Sequence, residues 1–82
     1  MWKYVVEVDG MMCGMCEAHT NDAIRHAFSV KKVTSSHKKG QTVIISEYEI
    51  DEQMLKDTLH TLGYDMGAVQ KEPWEKKGLF GR

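Results

Sequence analysis

The alternation of hydrophobic and polar residues predicts six short elements along the chain. Residues 3–9 (KYVVEVD) mix β-branched and polar side chains in the manner of a half-buried strand. In residues 17–28 and 51–62, apolar side chains recur every three or four positions, which is typical of an amphipathic helix. Further strands are predicted at residues 30–36, 41–48 and 64–71.

Turn and cap residues agree with these boundaries. Gly40, after Lys39, allows a tight turn between the second and third strands, so these two strands form a hairpin. Asp51 suits the N-cap of the second helix, and Gly63 suits its C-terminal end. The order of elements predicts an α+β, ferredoxin-like β-α-β-β-α-β sandwich, in which a four-stranded antiparallel sheet carries two helices on one face.

Each helix has one face that the sheet is expected to cover. In the first helix this face comprises Thr20, Ala23, Ile24, Ala27 and Phe28. In the second helix it comprises Leu55, Thr58, Leu59 and Leu62, with Met54 beside it. Both faces need the apolar side of a sheet to be buried.

The composition fits one small domain. The chain has 82 residues and a formal net charge of -1. It contains no apolar run near the roughly 20 residues that a membrane span needs, and no secretory leader precedes the first strand. We therefore expect a soluble, cytoplasmic protein without direct membrane insertion, whose cysteines stay reduced.

Charged residues are partly separated along the sequence. Lysines cluster first, at Lys31, Lys32, Lys38 and Lys39. Acidic residues follow, at Glu47, Glu49, Asp51, Glu52 and Asp57. Neither group is dense enough for a nucleic-acid footprint, so a solvated face or docking to a partner of complementary charge is expected. RNA-recognition modules share the order of elements, but residues 41–46 lack their stacking aromatics, and no nucleic-acid partner is expected.

The candidate chemistry lies in the only two cysteines, Cys13 and Cys16, between the first strand and the first helix. Cys13 is expected on the connecting loop and Cys16 in the first helical turn. There the positive end of the helix dipole lowers the pKa of a thiol and favours the thiolate. Two thiolates without a further obligatory ligand suit Cu(I), a soft ion that accepts low coordination.

Other interpretations of a Cys-x-x-Cys pair remain open. A structural zinc site usually has four protein ligands, and the histidines do not form a paired cluster at the usual spacing. A thioredoxin-like redox pair is another alternative, although no Trp stands immediately before Cys13 and the only proline, Pro73, is far along the chain. An inert pair of thiols is the simplest alternative.

Residues 10–16 (GMMCGMC) resemble the signature of the heavy-metal-associated domain family. Residues 30–33 (VKKV) resemble the second strand of that family, and residues 62–65 (LGYD) resemble the Gly-aromatic-Asp stretch after its second helix. The resemblance covers residues 3–71, so residues 1–71 are expected to form a heavy-metal-associated metal-binding domain. Residues 72–82 are expected to form a flexible tail, whose apolar side chains pack or dock: Trp74, Leu79 and Phe80.

The resemblance is to bacterial copper chaperones and to the metal-binding domains of copper-transporting P-type ATPases. It implies a Cu(I) metallochaperone, not an enzyme, that binds the ion through Cys13 and Cys16 and transfers it by thiolate exchange. The implied partner is a copper-transporting P-type ATPase or another Cys-x-x-Cys domain, and a metal-bridged homodimer is an alternative. Zn(II), Cd(II) or Hg(II) as the ion, a buffering or sensing role, and a thiol-disulfide redox function are also left open.

The resemblance also assigns places to residues near the cysteines. Met11 is expected to pack inward, whereas Met12 and Met15 are expected on the surface as contacts that shield the ion or meet a partner. Tyr64 is expected close to the site. His19, one helical turn beyond the second cysteine, is expected to be exposed and not a ligand. The other histidines are expected to be ordinary surface residues: His26, His37 and His60.

Overall fold

The computed structural model describes residues 1–74, and its elements follow the predicted order. The strands are β1 (Trp2–Asp9), β2 (Lys32–Ser36), β3 (Gln41–Ser46) and β4 (Asp65–Pro73). The helices are α1 (Gly14–Ala27) and α2 (Glu52–Thr61). The strands form one antiparallel sheet in the order β2-β3-β1-β4, which confirms the predicted ferredoxin-like α+β fold.

The core lies between the helices and one face of the sheet. Alternate residues of β1 point into it, and all three are buried: Tyr4, Val6 and Val8. The predicted helix faces are confirmed where they pack most closely, at two positions of each helix: Thr20, Ile24, Leu55 and Leu59. Apolar burial of these residues is the main favourable contribution to folding.

Met54, which was predicted beside the inward face of α2, is half exposed, because it stands one position before Leu55 and is therefore rotated by about 100° away from the buried stripe. One residue of the predicted inward faces is wrong. Ala27, the last residue of α1, is exposed, and the next residue, Phe28, packs against the core instead.

Element ends differ from the prediction by a few residues. Helix α1 begins at Gly14 rather than at residue 17, because Cys13 has an extended backbone and acts as the N-cap. Strand β2 begins at Lys32 rather than at residue 30. Strand β3 ends at Ser46 rather than at residue 48, because the Ser46 hydroxyl donates to the Tyr48 carbonyl oxygen and accepts from the Tyr48 N–H, which turns the chain.

The last strand is longer than predicted. Strand β4 continues past residue 71 to Pro73, which pairs with Trp2 of β1. The next residue, Trp74, donates its backbone N–H to the Met1 carbonyl oxygen at 3.0 Å. The prediction of a flexible tail falls otherwise on residues 75–82, including Leu79 and Phe80, which lie outside the described residues.

Three connections come together at the end of the sheet where β1 finishes, because neighbouring strands are antiparallel. They are the loop from β1 to α1, the turn from β2 to β3 and the connection from α2 to β4. The Val8 N–H donates to the Gly40 carbonyl oxygen at 2.8 Å and ties the hairpin turn to the end of β1. The sequence therefore brings the cysteine loop, His37 and Tyr64 to one end of the molecule.

The separated charges are partly neutralised at the opposite end. Lys31 pairs with Glu47 at 3.0 Å, and Lys71 pairs with Glu49 at 2.8 Å while its ammonium lies over the Trp2 ring. Within residues 1–74, neither helix is long and apolar enough to cross a lipid bilayer.

Candidate metal centre

The cysteine loop is shaped by backbone groups. Gly10 leaves β1 with a φ of 118°, a conformation that a side chain would strain. Cys13 then takes an extended backbone as the N-cap of α1, and its carbonyl oxygen accepts the N–H groups of Cys16 at 3.1 Å and Glu17 at 3.2 Å. The helix therefore starts at the cysteine pair, with Cys13 as its N-cap and Cys16 in its first turn.

The structure brings the two predicted ligands together. The sulfur atoms of Cys13 and Cys16 lie 3.6 Å apart, and both cysteines are free thiols. Cys13 is exposed and Cys16 is half-buried. Two soft donors are thus presented side by side at an accessible end of the domain.

Surrounding groups stabilise the thiolate of Cys16 and lower its pKa to about 7. The strongest influence is the Tyr64 hydroxyl, which donates toward the sulfur; the Met12 backbone N–H and the Cys13 side chain act in the same direction, against a small opposing effect of burial. The same contact raises the pKa of Tyr64, because the phenol must stay protonated to donate to a thiolate. Cys16 is therefore substantially ionised near neutral pH.

Tyr64 reaches the site because two glycines make room for it. Gly63, with a φ of 90°, ends α2 in the left-handed conformation and turns the chain toward the cysteine loop. A Cβ on Gly10 would lie 2.8 Å from the Tyr64 ring, so the absence of a side chain lets the ring lie against the loop. The predicted proximity of Tyr64 to the site is confirmed.

The methionines occupy the predicted places. Met11 is buried in the core, whereas Met12 and Met15 are 80% and 70% exposed. His19 is exposed, as predicted. Among residues 1–74, no third His, Cys, Asp or Glu side chain joins the two cysteines to form a larger ligand group.

Two neighbours of the site escaped the sequence prediction. His37 is not an ordinary surface residue: it is half-buried, and both its backbone N–H and its ring bind the carboxylate of Glu17. Both hydrogen bonds lower the pKa of Glu17, and the bond from the His37 backbone N–H has the larger effect. The pairing joins residues 20 apart in sequence, so no local pattern indicates it; only the acidic residue in the first turn of α1 is a signal in the sequence.

Comparison with known proteins finds a relative in sequence. The chain is 28% identical over 81 residues to a mercuric reductase of Staphylococcus aureus; the match covers 98% of this chain but only 14% of that enzyme. The chain thus spans a small part of the curated relative that it matches. No family model matches the chain.

Solved structures share the fold. The copper binding domain from HMA7, a P-type ATPase, superposes with a TM-score of 0.77 at 20% identity, over 89% of this chain and 100% of that one. The apo form of the copper chaperone of Enterococcus hirae superposes with a TM-score of 0.65 at 28% identity, over 77% of this chain and 94% of that one. These neighbours confirm the resemblance to heavy-metal-associated domains.

Proposed function

We propose that this chain is a metal-binding protein rather than an enzyme, and that it carries Cu(I) on Cys13 and Cys16 and hands it to a partner. The observation that carries the proposal is the pair of free sulfurs 3.6 Å apart at an accessible end of the domain. One of these thiols has a pKa of about 7, so a thiolate ligand is available at neutral pH. A reducing compartment such as the cytoplasm keeps both thiols free.

The separation of the two sulfurs is shorter than linear coordination of an ion requires. At a metal–sulfur distance of about 2.3 Å, as in zinc thiolates, linear coordination needs sulfurs about 4.6 Å apart. The thiols lie about 1 Å closer than that, so one sulfur must swing outward to hold a linear ion. Cys13 is the one free to move, because it is exposed and its side chain makes no capping hydrogen bond to α1.

Transfer then follows by exchange of thiolates. Cys16 stays on the ion, while an incoming thiolate from a partner adds beside Cys13 to give a three-coordinate intermediate. Cys13 leaves first, because fewer contacts hold it, and the second thiolate of the partner displaces Cys16. The exposed side chains of Met12 and Met15 shield the ion or contact the partner. A copper-transporting P-type ATPase, or another Cys-x-x-Cys domain, supplies the acceptor thiolates.

Hg(II) is the second candidate cargo, and one observation favours it. The mercuric reductase of Staphylococcus aureus matches nearly the whole of this chain. A domain of this kind would pass Hg(II) between thiol pairs by the same exchange. Zn(II) and Cd(II) also bind thiolates, but each favours further ligands.

Anaerobic competition tests the cargo. Reduced protein is titrated with Cu(I), Hg(II), Zn(II) and Cd(II) against chelators of known affinity. We expect Cu(I) to bind at one equivalent with a sulfur-to-copper charge-transfer band, and Cys13→Ser or Cys16→Ser to abolish tight binding. Met54→Leu is the matched control, because it removes an exposed sulfur from α2, outside the cysteine loop. Full Cu(I) affinity in either serine variant would overturn the proposal.

A transfer assay separates delivery from storage. Cu(I)-loaded protein is mixed with a Cys-x-x-Cys metal-binding domain, and the two are separated to see which holds the metal. Transfer faster than spontaneous release into a chelator supports delivery, whereas retention supports buffering or sensing. An increase in apparent size on loading would indicate a metal-bridged homodimer. Repeated turnover of an insulin disulfide would instead show a redox enzyme.

A further inference from the structure

Glu17, in the first turn of α1, contacts His37 next to the hairpin turn between β2 and β3. Its carboxylate oxygen Oε2 accepts the backbone N–H of His37 at 2.8 Å and lies 2.5 Å from the ring nitrogen Nδ1 of the same residue. Both side chains are mostly buried, with 28% and 30% exposure. Glu17 directly follows Cys16, and His37 is the first residue after β2, so this contact joins the first turn of α1 to the hairpin turn.

Polar contacts continue along the same side of the helix. Asn21, one turn beyond Glu17, accepts a hydrogen bond from the Ser35 hydroxyl at 2.6 Å. Ser35 in turn shares a hydrogen bond with the buried Thr42 hydroxyl at 2.9 Å. The first two turns of α1 are therefore attached to the β2–β3 hairpin by directional hydrogen bonds, which fix position more narrowly than apolar contact does.

The other side of the same turn faces Tyr64. The Tyr64 ring lies against Gly10 of the cysteine loop, its hydroxyl stabilises the Cys16 thiolate, and Thr20 donates to the Cys16 carbonyl oxygen at 2.8 Å. Cys16 is thus held between two connections of the fold. Cys13 has no comparable support, because its own side chain does not cap the helix.

We propose that Glu17 is a positioning residue that holds Cys16 in place through His37, so that Cys13 alone moves in the first step of metal exchange. This inference rests on the proposed metal-binding function. It assigns a role to a residue that does not touch the ion. Loss of the contact lets the first turn of α1 fray, and the retained thiolate then moves with the leaving one.

Rates of Cu(I) release test the role. Cu(I)-loaded protein is mixed with an excess of a coloured Cu(I) chelator at pH 8, and the release rate is followed. We expect Glu17→Ala to release the ion about threefold to tenfold faster, the range for loss of a partly exposed hydrogen bond to a charged group. Glu17→Gln should restore the rate to nearly that of the unsubstituted protein, because its amide oxygen still accepts the His37 N–H.

Matched controls separate this contact from a general effect of an acid at a helix start. Glu52 occupies the first turn of α2, so Glu52→Ala should leave the release rate unchanged. His37→Ala keeps the backbone donor and removes only the ring, so a smaller increase is expected. Release from Glu17→Ala at the unsubstituted rate would overturn the proposal, and so would a Glu17→Gln variant as fast as Glu17→Ala.

Amide hydrogen exchange of the metal-free protein keeps the two proposals distinguishable. Glu17→Ala should speed exchange about tenfold in the first two turns of α1 and leave α2 unchanged. If the unsubstituted protein binds neither Cu(I) nor Hg(II), the proposed function fails, and this measurement alone decides whether Glu17 positions Cys16. Unchanged exchange in α1 would refute that role.

Discussion

Cys16 and its partner Tyr64 determine how the site responds to pH. The Tyr64 hydroxyl is the largest of the influences that lower the pKa of Cys16 to about 7. Metal binding needs the thiolate, so it should weaken as the pH falls through this value. The pKa of Cys16 is lower in the folded chain than in the unfolded one. The Cys16 thiolate therefore stabilises the folded state at high pH, and this stabilisation is lost as the pH falls toward 7.

Tyr64→Phe should raise the pKa of Cys16 toward the value of an ordinary thiol, because it removes the donor with the largest effect. The pH dependence of Cys16 alkylation, resolved from that of Cys13 by mass spectrometry, measures the change. The exposed Tyr48 provides the control, and Tyr48→Phe should leave the profile unchanged. An unshifted profile in Tyr64→Phe would mean that backbone N–H groups and the Cys13 side chain stabilise the thiolate without the phenol.

Gly10 and Gly14 flank the same loop but differ in their surroundings. Gly10→Ala should destabilise the fold by about 1–3 kcal/mol, because a side chain at a φ of 118° is strained and its Cβ meets the Tyr64 ring at 2.8 Å. Gly14→Ala should be neutral or stabilise the fold by up to about 1 kcal/mol, because its Cβ meets no atom within 4 Å. Urea unfolding of both variants checks the contrast, and equal midpoints would contradict it.

The two helices begin in different ways. Asp51 caps α2 by accepting the backbone N–H groups of Gln53 at 2.9 Å and Met54 at 3.3 Å. The N-cap of α1 is Cys13, whose side chain makes no capping hydrogen bond. The N-cap position of α1 is thus taken by a residue of the proposed metal site rather than by a good capping residue, and contacts with Tyr64 and His37 hold the first turn instead.

Asp51→Ala should lower the free energy of unfolding by about 1 kcal/mol, because two N–H groups at the start of α2 lose their acceptor. Asp51→Asn keeps an oxygen at the same place and should recover most of the loss. Chemical denaturation measures both variants. A full loss in Asp51→Asn would indicate that the negative charge near the helix start, rather than the hydrogen bonds, provides the stabilisation.

Sequence patterns predicted the elements well where the signal is local. The cap at Asp51 and the stop at Gly63 were predicted correctly, because each depends on one residue and its immediate neighbours. The start of α1 was predicted three residues late, because Gly14 is a poor helix former and only the carbonyl of Cys13 shows that the helix has begun. Helix and strand ends depend on such backbone contacts more than on side-chain pattern.

The candidate site was predictable in part for the same reason. The spacing of Cys13 and Cys16 is a local signal, and the resemblance placed Tyr64 nearby. The contact of Glu17 with His37 could not be predicted, because it forms only after the hairpin turn and α1 are packed at one end of the sheet. Residues far apart in sequence thus complete the surroundings of a motif that is itself local.

At the scale of the whole molecule, the fold separates the residues that stabilise it from those of the proposed metal site. The Tyr4 side chain crosses the core from β1, and its hydroxyl accepts the buried N–H of Ile50 at 2.8 Å, just before α2. Ile50 lies at the end of the sheet opposite to the cysteine loop, because it follows β3, which runs antiparallel to β1, the strand that leads into the loop. The end with the cysteine loop presents exposed sulfur atoms. At the opposite end, the bond between Tyr4 and Ile50 covers the core.

Tyr4→Phe should therefore destabilise the protein by about 1–3 kcal/mol, because it leaves the buried N–H of Ile50 without an acceptor. The Cu(I) affinity and the pKa of Cys16 should not change in the folded variant, since the Tyr4 hydroxyl bonds to Ile50 at the end of the sheet opposite to the cysteine loop. Denaturation and metal competition on the same sample test both expectations. A weakened Cu(I) affinity would show that the two ends are coupled, and metal binding would then depend on the packing of the whole sheet rather than on the connections at one end.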